Sequence, residues 1–115
     1  MIHSPIISNT CRRDPATLVL RALLTLCDGL AELEEHRGRA WASATFAGMR
    51  HRLRLSFAGD KGVERGEWLA QILAEHEFDL PGHIVADAAV IERHARREGT
   101  PALTLTIEIL TVEDD

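Results

Sequence analysis

A chain of 115 residues is about one domain long and can bury one real core, so 1–115 reads as a single domain. A formal net charge of −5, with 27% charged and 45% hydrophobic residues, argues against compositional disorder and against a broad nucleic-acid-binding surface. No apolar run approaches the roughly 20 residues that span a bilayer, and Met1–Thr10 lacks the basic start and long apolar run of a signal peptide.

These features lead to the expectation of a cytoplasmic protein with no membrane partner. Two cysteines, Cys11 and Cys27, are too few for a disulfide framework. Residues 1–13 read as an N-terminal arm, in which Ile6 and Ile7 suit an edge strand or a loose segment equally. Asp14-Pro15 is a helix start, an Asp cap followed by Pro at the first helical position. From there Val19, Leu23, Leu26, Leu30 and Leu33 recur at spacings of four and three, widened by Leu20, Leu24, Cys27 and Ala31. The spacing predicts a core helix to about Glu35, with Gly38 as its stop and Cys27 a buried thiol.

AWASATFA, Gly48-Met49 and RHRLRLSFA then read as a hairpin with a two-residue turn that has Gly at its first central position. In that register Ala47 faces Arg50 and Ala42 faces Leu55. Ala40, Ala42, Ala44, Phe46, His51, Leu53, Leu55 and Phe57 share one face. Trp41, Ser43, Thr45, Arg50, Arg52, Arg54 and Ser56 share the other. Gly59-Asp60-Lys61-Gly62 reads as a loop before a second helix with Trp68, Leu69, Ile72 and Leu73 inward. Gly66 weakens that helix by about 1 kcal/mol relative to Ala. Asp79-Leu80-Pro81-Gly82 ends it. A second hairpin follows, HIVADAAVIERHA and PALTLTIEIL around Glu98-Gly99. Its register puts Glu92 and His94 on the apolar face unless a bulge near Arg96 relieves it. Val112–Asp115 reads as a solvated acidic end.

Gly38–Ala44 matches Gly82–Ala88 with Gly at the first place and Ala at the fifth and seventh, a short resemblance that raises an internal αββ duplication. The expected fold class is α+β: a two-layer sandwich, α-β-β-α-β-β, with a four-stranded antiparallel sheet of order 2-1-3-4 and both helices on one face.

The sequence holds no G-x-S-x-G, H-E-x-x-H, G-x-x-x-x-G-K or C-x-x-C motif, so no catalytic residue, cofactor or metal ligand is assigned. His76, Glu77, Asp79 and His83 cluster near a helix end, but their spacing fits no zinc motif. Arg50, Arg52 and Arg54 point one way beside Trp41, the pattern of an anion-contacting stripe. With no Tyr and three Phe the stacking supply is poor, so the stripe is read as edge-strand charge bridging to acids such as Asp87 and Glu108, not as a nucleic-acid site. Trp41, Val85, Ala89, Ile91 and Leu110 fall on the outer face and suggest an interface, most simply a homodimer. The expected function is therefore non-catalytic, through self-association or protein binding. The alternative is a small-molecule-binding protein or minor enzyme with a pocket between helices and sheet.

Overall fold

The structure is a computed structural model that describes residues 14–114; the N-terminal arm, with Ile6, Ile7 and Cys11, lies outside the described residues, as does Asp115. Among the described residues two α-helices, α1 (Pro15–Leu26) and α2 (Gly59–Ile72), accompany four strands, β1 (Ala31–Ala42), β2 (Ala47–Ala58), β3 (His83–Arg96) and β4 (Ala102–Glu113). The class is α+β, and the sheet is antiparallel throughout. Its order is β1-β2-β4-β3, which replaces the expected 2-1-3-4. In place of the alanine-rich first strands, the second strand of each hairpin takes the centre. Leu53, Leu55 and Phe57 of β2 and Leu103, Leu105, Ile107 and Ile109 of β4 are the most apolar rows, and only central strands bury such rows fully.

α1 begins as its sequence dictates. The Asp14 carboxylate accepts from the Ala16 N–H at 3.2 Å and the Thr17 hydroxyl at 3.1 Å, and Pro15 opens the helix. It ends earlier than its apolar spacing suggests, because Asp28 (φ 54°) and Gly29 (φ 76°) turn left-handed. The Cys27 N–H still donates to the Leu23 carbonyl at 3.0 Å. Residues 31–42, expected to be helix to about Glu35 and hairpin strand only from Ala40, are β1 throughout, which pairs along its whole length with β2. A bulge between Leu33 and Glu35 breaks the period-two pattern there. Val19, Leu23 and Cys27 are buried as the stripe requires, whereas Leu30 lies beyond the helix and is 38% exposed.

The first turn is Ser43–Phe46, not Gly48-Met49. The Phe46 N–H donates to Ser43 Oγ at 3.1 Å, and the Ser43 N–H donates to the Phe46 carbonyl at 2.7 Å. Ala42 therefore faces Ala47 and Trp41 faces Gly48. Gly48 has a packing role: a Cβ there would stand 3.0 Å from Trp41 Cε2 and 1.9 Å from the Thr111 carbonyl oxygen.

Gly59-Asp60-Lys61-Gly62 is the first turn of α2 and not a loop. The helix is held close to the sheet by its glycines. A Cβ on Gly66 would meet Leu103 Cδ2 at 2.7 Å and Phe57 Cδ1 at 2.8 Å. The close approach of helix to sheet is thus supplied by α2. In the second hairpin the bulges lie between Val85 and Asp87 and between Val90 and Glu92, not near Arg96. They turn Glu92 and His94 to the face opposite the core, which removes the conflict in the expected register. Val112 and Glu113 belong to β4. The matched segments occupy different places, Gly38 in mid-β1 opposite His51 and Gly82 before β3 with φ 80°.

Buried residues of both helices and of β2, β3 and β4 form one cluster. Leu23→Ala is expected to lower unfolding free energy by about 2–5 kcal/mol, whereas Leu30→Ala costs under about 1 kcal/mol because a half-open site leaves little cavity. Gly66→Ala is expected to destabilise by about 1–3 kcal/mol from overpacking, despite the better helix propensity of Ala. Urea unfolding midpoints of the three variants check all of this.

Candidate functional site

The pairing register writes out the face opposite the core as rows across β1, β2, β4 and β3. The first row is Trp41, Gly48, Val112 and Ile84. Next come Arg39, Arg50, Leu110 and Asp87, then Arg37, Arg52, Glu108 and Ala89. Glu35, Arg54, Thr106 and Glu92 form the fourth row. One end is therefore apolar, and the middle is dominated by arginine on β1 and β2.

Two carboxylates serve these arginines. Glu108 accepts from Arg52 at 2.8 Å and stands 3.8 Å from Arg50. Glu35 is 2.8 Å from Arg37 and 3.3 Å from Arg54. Of the two acids expected to bridge the stripe, Glu108 does so and Asp87 makes no ion pair among the described residues. The Glu108 bridge forms on a central strand, so edge protection is not the reason for the stripe. A cleft of about 510 Å³ lies over Arg37, Arg39, Arg50 and Arg52. Arg37 and Arg39 escaped the sequence reading because their segment was assigned to a helix end. Their signal was the alternation Arg37-x-Arg39-x-Trp41, which has the period of a strand.

Of the expected interface residues, Trp41, Leu110 and Ala89 share the outer face. Val85 does not: it pairs with Thr111 on the core side and packs against the core, because the Val85/Asp87 bulge shifts the alternation. Ile91 sits at the second bulge and is 41% exposed. The Trp41 indole N–H is buried and has no hydrogen-bond partner among the described residues.

Behind the arginine rows, the core side carries a histidine group. His51 of β2 is fully buried, and its ring centroid lies 6.0 Å from that of His36 on β1. The Thr111 hydroxyl donates to the Met49 carbonyl at 3.2 Å, so it accepts from His51 Nε2 at 3.0 Å. That assigns the proton to Nε2 and leaves Nδ1 a buried lone pair without a partner among the described residues. Burial pushes the His51 pKa down to about 4, helped by His36 and His83 and opposed by Asp14. Burial also lowers His36, again against Asp14. Among the described residues no group of three His, Cys, Asp or Glu side chains is placed to hold a metal ion. His76, from the earlier cluster, meets Phe78 edge to face at 4.7 Å. Burial raises the Cys27 thiol to about 11 against the pull of Arg65, so it is no nucleophile at neutral pH.

A buried imidazole that stays neutral makes folding pH-dependent. The unfolded chain takes up a proton at His51 below about pH 6.5, while the folded chain resists until about pH 4. Stability from this group is complete above the unfolded value and falls across that window, by up to about 3 kcal/mol. Urea unfolding at a series of pH values is expected to show this decline, and His51→Leu to remove most of it between pH 6.5 and 5.

Compared with known proteins, the chain matches no family model, no curated protein and no solved structure.

Proposed function

We propose that the protein is a non-catalytic module that acts through the outer face of its sheet, by self-association or by binding another protein. The observation that carries this reading is the apolar row Trp41, Gly48, Val112 and Ile84, flanked by Leu110, on the side of the sheet away from the core. Ile84 is 52% exposed, which leaves this end of the row open to a docked chain. In this reading the fold is a two-layer sandwich with both helices on the core side. The helix–hairpin, helix–hairpin order supports an αββ duplication. A cytoplasmic setting suits Cys27, which is buried as a free thiol, and no helix of the described residues is long and apolar enough to cross a membrane.

A two-fold contact between copies about an axis along the strands would lay Trp41 of one against Ile84 of the other, and Arg39 against Asp87. The alternative of a ligand pocket between helices and sheet has less support, since Phe57, Leu69, Leu103 and Leu105 fill that layer with fully buried side chains. Sedimentation equilibrium at micromolar concentration is expected to show a dimer, and Ile84→Arg to shift it to monomer. A strictly monomeric wild type would remove self-association, and a dimer unaffected by Ile84→Arg would place the contact elsewhere.

A further inference from the structure

The geometry points to a binding site for a small phosphate-class polyanion on Arg37, Arg39, Arg50 and Arg52. The first ground is the register. Arg39 stands directly opposite Arg50, and Arg37 directly opposite Arg52. Like charges in facing positions of a sheet repel and destabilise the pair. Here two such pairs stand in succession on one face, although Ser, Thr or an acid at any of the four would suit the fold better. A local rule broken twice, with only two shared carboxylates to offset it, is characteristic of a site kept for a ligand.

The second ground is the charge balance. Glu35 is shared between Arg37 and Arg54, and Glu108 between Arg52 and Arg50. Arg39 makes no ion pair among the described residues. Five guanidinium groups thus face two carboxylates. The pairs that do form are solvent-exposed, with the Arg50 and Arg52 side chains 56% and 55% exposed, and exposed pairs hold their partners weakly.

Shape and surroundings set the ligand class. Neighbouring strands are about 5 Å apart and alternate residues about 7 Å apart along a strand, so the four arginines rise from the corners of a small rectangle. Guanidinium groups so placed can fork onto two adjacent phosphoryl groups. The cleft above them, about 510 Å³, takes a ligand of that size. Its rim is acidic: Glu35 bounds it on β1, Glu108 on β4, and Asp87 and Glu92 lie beyond on β3. A polynucleotide crossing the sheet would run over these carboxylates, in a protein whose net charge is −5. A compact anion meets four arginines against the two carboxylates, Glu35 and Glu108, that line the same cleft.

The site lies on the sheet face proposed for self-association, where Arg39 would meet Asp87 of the other copy. The titrations are therefore run on Ile84→Arg as well as on the wild type, which separates failure of this inference from failure of that reading. Titration calorimetry of the full chain with inorganic pyrophosphate at low salt is expected to give saturable binding at one site per chain, weaker with orthophosphate. Arg39→Gln with Arg50→Gln should weaken it at least tenfold, while Lys61→Gln on α2 leaves it unchanged. The unfolding midpoint supplies a second readout: relief of repulsion should raise that of ligand-free Arg39→Gln, and pyrophosphate should raise that of the wild type but not of the double variant. Absence of saturable pyrophosphate binding, binding indifferent to the double variant, or a lowered midpoint in ligand-free Arg39→Gln would each overturn the proposal. Tighter binding of a ten-residue oligothymidylate than of pyrophosphate at equal salt would overturn it in favour of a single-strand surface.

Discussion

The pairing of β2 with β4 is the contact on which the remaining structure depends. Eleven consecutive residue pairs join them, from Gly48 with Val112 to Ala58 with Ala102. Within that ladder Leu53 meets Ile107, Leu55 meets Leu105 and Phe57 meets Leu103, and all six side chains are buried. Removing such side chains from water contributes about 1.5–3 kcal/mol each relative to exposure, which exceeds what any surface ion pair of this protein contributes. The hairpins therefore join through their second strands, and β1 and β3 are left as edges.

Once that row is buried, strand geometry assigns the opposite face. A period of two turns each arginine of RHRLRLSFA away from the core. The partner strand β1 then sets Arg37 and Arg39 beside them, and the chain carries a dense positive block that its own acids only partly neutralise. The repulsion is tolerated because the row beneath is strongly stabilising. The same pairing sinks His51 into the core, where the Thr111 hydroxyl satisfies one ring nitrogen and leaves the other without a partner. The outward positive charge and the buried polarity both follow from one hydrophobic ladder.

Helix packing completes the inner layer by an unusual route. Gly62 and Gly66 face the sheet, and Gly66 lets the backbone of α2 approach Phe57 and Leu103 closely. At the margin of the same layer, Arg93 of β3 forks onto Glu67 of α2 and ties the edge strand to the helix. Arg65 lies over the Trp68 ring at 4.7 Å and 3.7 Å from Asp28, linking the turn after α1 to α2.

Local chemistry alone determined several elements of this protein. Asp14-Pro15 starts α1 because its carboxylate and its ring suit only that position, and the alternation in β2 and β4 names their buried and exposed faces. The outward aim of Arg50, Arg52 and Arg54 and the burial of Leu23 and Cys27 follow from the same periodicities. Strand neighbours were not legible, because alternation specifies a face and carries no information about which strand lies alongside. β1 was hidden because LAELEEHR suits a helix as well as a strand. It becomes a strand only where Asp28-Gly29 stops α1 and β2 offers an unpaired edge. The bulges in β3, the place of Val85 on the core side and the second pair of arginines were likewise decided by tertiary pairing. Each depends on a residue more than ten positions away in the chain, and a local pattern cannot register such a partner.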